Sequence, residues 1–443
     1  FSLSFCLHIE DYGNVASISK LHLIMTAIVG ILNKRAAVLA ADSAQTVVKG
    51  DRMKIYNTTT KIFRLSQDNH VAVMFFQNVD FMDVPWEVIF KLYHDKRGGK
   101  QFDTVMEYAE DFYLFLQEEK FFCSSEQQKD YLDGELATYY NNVKTAAKDN
   151  MEKEIDAMDD DDFFNEEDLL RQHLRDCIAG VDALATDAGV NPKLEDVSEK
   201  EIRTYGKESL KTLKEQIKED DLPKDMFDDW VSGFTNYIRS RFYYNGTGIV
   251  FVGYGKNDIF PTLLPTYVSG AFNNRLRYYL DTNGMYAIGE DCSASITPFA
   301  QSDVMITLMK GIAPNFYEKV TDLNVRSLSE EREKIASLLK DEGVDDTIIT
   351  KVMDIDTTGI EKKHSESMDE YMQEEYIDGI VNAVESFNVE DMTNMAENLV
   401  SITSLQRHFS SSDETVGGPI DVAVITRAEG FTWVRHKDFI KNL

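Results

Sequence analysis

In Thr26-Ala27-Ile28-Val29-Gly30-Ile31-Leu32-Asn33-Lys34-Arg35-Ala36-Ala37-Val38-Leu39-Ala40-Ala41-Asp42, two short apolar runs, Ala27 to Leu32 and Ala36 to Ala41, are joined by the polar turn Asn33-Lys34-Arg35. Neither run has the length of an ordinary buried helix, and the polar break between them is tight. The pair predicts a β-hairpin buried on both faces. Working outward, Lys61 to Leu65 and Val71 to Phe76 read as two more strands around the polar turn Ser66 to His70, and Val84 to Tyr93 turns helical.

From about 103 to 244 the texture becomes helical and acidic. Asp103 is positioned to cap a helix in which Val105, Ala109, Phe112 and Leu116 recur at helical spacing. Met158 to Asp168, with its acidic run Asp159 to Asp162, then Leu169 to Leu184 and Leu210 to Ile217, continue it. Strand texture returns at Gly248 to Gly253, Leu263 to Ser269 and Met285 to Ile288. A second acidic helical stretch fills about 315–390, and Ser327 with Glu330 predicts a capping-box start for one of its helices. Ile420 to Thr426 and Phe431 to Val434, turning through Glu429-Gly430, predict a terminal hairpin. Strands interrupted by helical inserts, without regular βα alternation or an internal repeat, weigh against a Rossmann sheet or a TIM barrel.

Charge narrows the function classes. The 443 residues carry 46 Lys and Arg against 77 Asp and Glu, a net −31. Such a surface repels phosphate backbones and anionic lipids, so neither nucleic acid nor a membrane is the expected partner. Leu23 to Leu32, the most apolar early run, falls short of a membrane span, and residues 1–22 carry Glu10 and Asp11 where a secretory signal would be apolar. Cys6, Cys123, Cys177 and Cys292 are far apart and form no CxxC pair, which points to reduced cytoplasmic thiols. No cofactor or metal is expected, since the eight histidines form neither HExxH nor a Cys/His cluster, and the acidic run at Asp159 lacks the glycine of a calcium loop. Gly253-Tyr254-Gly255-Lys256 lacks the Walker spacing and reads as a turn between strands. A GxSxG nucleophile elbow is likewise missing.

The chemistry that remains sits on the first hairpin. Thr26 opens its first strand, Asp42 ends its second, and Lys61 begins the next strand. A threonine hydroxyl is a weak nucleophile without a base beside it. If Thr26 were the first residue of the mature chain, its own α-amine could serve, because an α-amine titrates near ~7.7–8.0. A lysine close by lowers that amine's pKa and steadies developing negative charge, and an aspartate holds the lysine.

In these residues the chain resembles the proteasome β-subunit and HslV group of N-terminal-nucleophile (Ntn) hydrolases. Thr26-Ala-Ile-Val-Gly looks like their mature amino terminus, and Asp42 in Ala-Ala-Asp-Ser-Ala-Gln-Thr falls at the spacing of their aspartate. Lys61-Ile-Phe looks like their catalytic lysine after a slightly longer loop. Tyr286-Ala-Ile-Gly289 resembles the strand leading to their central helix. Asp413 followed by Gly417-Gly418-Pro419-Ile420-Asp421 resembles the segment that sets another aspartate beside the amino terminus. The likeness covers 26–118, 245–311 and 395–437 in order. It implies an α+β fold, a four-layer αββα Ntn-hydrolase sandwich with acidic helical insertions. The implied division is a core of 26–118, 245–314 and 391–443 with helical insertions at 119–244 and 315–390. Residues 1–25 are then a non-native extension, with Met25 the preferred start, or a propeptide.

The resemblance implies Thr26, Asp42, Lys61 and Asp413 as catalytic residues, and Ser43, Thr46, Met74 and Phe75 as groups facing a peptide or protein substrate. It also implies a homo-oligomer, since members of that family stack as rings. Two departures stand out. Where the family has a glycine between the fourth strand and first helix, this chain reads Val73-Met74-Phe75-Phe76-Gln77-Asn78. Where a serine usually follows Gly289, it has Glu290-Asp291. Three functions stay open: a threonine peptidase with its oxyanion held near Met74 to Phe76, an Ntn amidase acting on a small molecule, and a non-catalytic scaffold subunit.

Overall fold

The computed structural model of the chain describes residues 26–49, 52–68, 70–119, 124–158, 164–244, 246–409 and 417–437. Asp413 and the acidic run Asp159 to Asp162 lie outside them. The expected hairpin forms as β1 (Ala27–Asn33) and β2 (Ala37–Ala41), antiparallel with Gly30 opposite Leu39. The Asn33 side chain stabilises its turn by accepting from the N–H groups of Arg35 and Ala36. Next come β3 (Gln45–Lys49) and β4 (Arg52–Tyr56), paired only with each other, then β5 (Ile62–Arg64) and β6 (Val71–Gln77). The short pair β7 (Asp80–Phe81) and β8 (Val84–Pro85) leads into helix α1 (Trp86–Arg97), so the expected helix begins two residues later than Val84. Helix α2 (Val105–Glu118) is capped by Thr104, not by Asp103. The Thr104 hydroxyl accepts from the Glu107 N–H while the Glu107 carboxylate reaches back to the Thr104 N–H, a reciprocal arrangement that Asp103 is one residue too early to make.

After α2 come the helices α3 (Ser125–Ala157), α4 (Glu166–Asp187), α5 (Glu199–Tyr205), α6 (Lys207–Glu219) and α7 (Phe227–Arg239). Strands β9 (Thr247–Gly253), β10 (Thr262–Phe272), β11 (Arg275–Leu280), β12 (Tyr286–Ala287) and β13 (Ala294–Ala300) follow. Helices α8 (Asp303–Lys310), α9 (Pro314–Asp341), α10 (Asp346–Met353), α11 (Thr358–Met372), α12 (Asp378–Ser386) and α13 (Val389–Phe409) then lead to the closing hairpin β14 (Asp421–Thr426) and β15 (Gly430–Arg435). Ser327 starts no helix: α9 runs through it from Pro314, whose ring supplies the first-turn geometry instead. Among the described residues no helix is long and apolar enough to cross a membrane.

The chain is therefore a mixed α+β protein with antiparallel sheets. One sheet has the order β13-β1-β2-β14-β15, and the other runs β11-β10-β9-β6-β5 with β12 beside β10. Strand periodicity decides what each face meets. Ile28, Leu32, Leu39 and Ala41 of the first sheet pack against Ala72, Met74, Val250 and Leu263 of the second. The alternate residues Val29, Ile31, Val38 and Ala40 pack instead on α8, α12 and α13 through Met305, Val384, Met392 and Ala396. On the second sheet, Val73, Phe75, Ile249 and Phe251 face Phe90 of α1 and Tyr108 and Phe112 of α2. The central strands β1, β2, β6 and β9 are thus buried on both faces, which is why they carry so few polar residues. Gly30 permits the close approach between them, since a β-carbon there would stand 2.6 Å from Leu263 Cδ1.

The Gly253–Lys256 stretch forms the turn from β9 to β10, with the Gly255 N–H donated to the Asp258 carboxylate. Gly253 itself has φ +147°, and a β-carbon would lie 2.0 Å from the His70 carbonyl oxygen. Helices α3 to α7 have their own apolar cluster, in which Tyr139, Ile178, Trp230 and Phe234 meet Phe272 of β10.

Candidate active site

Hairpin geometry brings Thr26 and Asp42 together before any side chain acts. The Asp42 N–H donates to the Ala27 carbonyl at 3.1 Å, and the Ala27 N–H donates to Asp42 Oδ1 at 3.0 Å. Asp42 Oδ2 also accepts from the N–H groups of Ala44 (3.2 Å) and Gly417 (3.3 Å). Those three backbone donors satisfy a carboxylate that is only 1% exposed.

Lys61 arrives from the other sheet. It precedes β5, and its carbonyl accepts from the Phe75 N–H of β6 at 3.1 Å. Its side chain reaches the first sheet, where Nζ donates to Thr26 Oγ1 at 2.9 Å and to Asp42 Oδ1 at 2.7 Å. Thr26 and Lys61 are 4% and 2% exposed. Burial pulls the Lys61 pKa below its ordinary value, and the Asp42 carboxylate opposes that shift without cancelling it. Nearby Lys437 pushes in the same direction as burial. A lysine whose ammonium is disfavoured can accept a proton from a hydroxyl in hydrogen-bond reach. Three of the residues singled out in sequence thus meet at one point, delivered by the ends of β1 and β2 and the start of β5.

The others divide. Ser43 is buried beside the cluster, with its hydroxyl donating to the Pro419 carbonyl at 2.6 Å and accepting from Lys437 Nζ at 2.8 Å. Thr46 lies in β3 opposite Ile55. Asp413 lies outside the described residues, so its expected place beside Thr26 is not part of this geometry. Met74 is fully buried between the sheets. Phe75 points the opposite way: its ring stacks with Phe63 and leans on Phe90, and its N–H is taken by the Lys61 carbonyl. As folded, the Phe75 ring and N–H serve packing between β5, β6 and α1. At the end of β6, where a glycine was missed in the sequence, Gln77 holds φ 74°, a left-handed conformation that glycine adopts without strain. Glu290 and Asp291 are both exposed.

Sequence reading missed a second buried charge cluster. Lys437, two residues past β15, extends Nζ to Asp421 Oδ2 (2.5 Å), Ser43 Oγ (2.8 Å) and the Thr59 carbonyl (2.8 Å). Asp421 Oδ1 meets His436 Nδ1 at 3.1 Å, and the His436 ring stacks on Trp433. A lone lysine near the chain end gives no motif, so nothing in the spacing could have found it. Between the outer edges of β5 and β15 opens a cleft of about 470 Å³, lined by Thr60, Ile62, Arg64, Phe431, Trp433 and His436 among others. It therefore adjoins the backbone on either side of Lys61.

The chain matches no protein-family model and no curated protein.

Proposed function

We propose that this protein is a threonine-type amide hydrolase of the Ntn kind, acting on peptide bonds, with Thr26 Oγ1 as nucleophile. The observation that carries the reading is the 2.9 Å contact from Lys61 Nζ to that hydroxyl, with Asp42 2.7 Å from the same nitrogen. The helix-covered pair of face-to-face sheets supports it, since an αββα sandwich is the architecture the resemblance implies.

In this reading Thr26 Oγ1 attacks the acyl carbon and its proton passes to Lys61, or to the α-amine of Thr26 once the bond from Met25 is cleaved. The C–N bond breaks as that proton moves to the leaving nitrogen. Water then attacks the ester, releasing the acid and restoring the hydroxyl. Asp42 keeps Lys61 aimed at the hydroxyl. The aromatic cleft beside Thr60 and Ile62 is the proposed route for the acyl chain. Assembly into a homo-oligomer belongs to the same proposal.

Hydrolysis of a panel of fluorogenic peptides and N-acyl amines tests it. Thr26→Ala should lower the rate by about a thousandfold or more, while Thr26→Ser keeps measurable turnover. Preference for N-acyl amines over peptides would shift the substrate class to small amides. A rate that Thr26→Ala leaves unchanged would remove Thr26 from the chemistry. The second reading, a non-catalytic scaffold, is favoured by the deep burial of Thr26 and by the engaged N–H of Phe75. It predicts no turnover from any variant, with assembly intact in Thr26→Ala.

A further inference from the structure

We infer that Lys437, anchored by Asp421, is a positioning residue for the Thr26–Lys61–Asp42 cluster, fastening the segments that carry Asp42 and Lys61 and setting a second buried cation beside them. This rests on the amide-hydrolase reading, which it deepens.

The geometry comes from three directions. Ser43, which receives one Lys437 hydrogen bond, is the neighbour of Asp42. Thr59, whose carbonyl receives another, stands two residues before Lys61, and its N–H donates to the Ser43 carbonyl at 3.2 Å. Asp421, which receives the third, begins β14 directly opposite Ala41. One ammonium thus ties together the end of β2, the approach to β5 and the start of β14. The first two of those segments carry Asp42 and lead to Lys61. Lys437 is buried with its partner, the two side chains being 6% and 1% exposed, so little water screens it.

The charged groups that act on Lys61 are Asp42, Asp421 and Lys437, and His436 meets the far oxygen of Asp421. Asp42 and Asp421 favour the Lys61 ammonium, whereas Lys437 disfavours it. A second ammonium here therefore does more than brace loops, because it biases Lys61 toward the neutral form that can take the Thr26 proton. A residue that only braced the loops would leave that proton equilibrium alone.

The test is a titration of the full-length protein with 13C-labelled lysine ε-carbons, the Lys61 signal being the one lost in Lys61→Arg. In Lys437→Met the Lys61 midpoint should rise, since a repelling cation is gone and Asp421 is unopposed. In Lys437→Arg it should stay near its original place. Where Lys437→Met does not fold, Lys437→Gln, which keeps a donor without charge, should give the same rise. An unchanged Lys61 midpoint in a folded, uncharged variant overturns the inference. Turnover separates this from the hydrolase reading: active protein with an unmoved midpoint sinks only the role of Lys437. A moved midpoint in protein whose Thr26 never reacts sinks only the hydrolase.

Discussion

A lysine enclosed between a hydroxyl and a carboxylate holds its proton less firmly than one in water, because burial removes the hydration of the ammonium and one carboxylate restores only part of it. Lys61 is in this position, and its lowered pKa has a consequence for stability. In the unfolded chain Lys61 titrates near ~10.4. Between the lower folded midpoint and that value, the unfolded chain holds a proton that the folded one has lost. The unfolded state then binds more protons, so the Lys61 contribution to stability rises with pH across that window. Below the folded midpoint the full penalty of a buried ammonium is present. Denaturant titrations of the native protein and Lys61→Met at several pH values should therefore converge or diverge with that sign. A Lys61 contribution that falls with rising pH would contradict the assigned shift. Lys61→Met should still fold, since the Asp42 carboxylate keeps its backbone donors Ala27, Ala44 and Gly417.

At the scale of elements, packing holds the two sheets, and a buried ion pair between α3 and β11 adds to the apolar cluster of α3 to α7. Arg277 of β11 is fully buried, with Nη1 on Glu135 of α3 at 3.1 Å and Nη2 on the carbonyls of Tyr237 and Phe242. The rings of Tyr237 and Tyr243 lie 4.4 Å from its guanidinium, and the Tyr237 hydroxyl also donates to Glu135. Arg277→Met strands the Glu135 charge and should cost about 3–5 kcal/mol of stability. Adding Glu135→Leu should recover part of that loss. Thermal or chemical denaturation of Arg277→Met, Glu135→Leu and the double variant measures both, and a double variant worse than the sum of the single changes would contradict the pairing.

What the sequence disclosed follows from how strongly each element's own residues constrain it. The β1–β2 hairpin was legible because runs buried on both faces leave few polar residues, and Thr26, Asp42 and Lys61 marked its ends. β13 was not, although it pairs along all of β1, because Ser295, Thr297 and Pro298 break its apolar pattern. Asp103 yielded the cap to its neighbour Thr104, which alone has Glu107 three residues on, and Ser327 was passed over because α9 already runs through it from Pro314. Lys437 carried no local signal at all. It matters only because the closing hairpin returns beside β2.

For the whole molecule, a net charge of −31 sets self-repulsion against the packed layers. Raising salt from 0.01 M to 0.15 M shortens the screening length from ~30 Å to ~8 Å. The melting temperature should rise across that range, and a fall would mean that attractive ion pairs outweigh the net repulsion. The most direct test of the central claim is the mass of the protein before and after exposure to a peptide epoxyketone directed at amino-terminal threonine, with the adduct located by fragmentation. A single adduct on Thr26 at a chain beginning with that residue, absent from Thr26→Ala and slowed in Lys61→Met, is the predicted result. A chain that still carries residues 1–25 and takes up no adduct would contradict it.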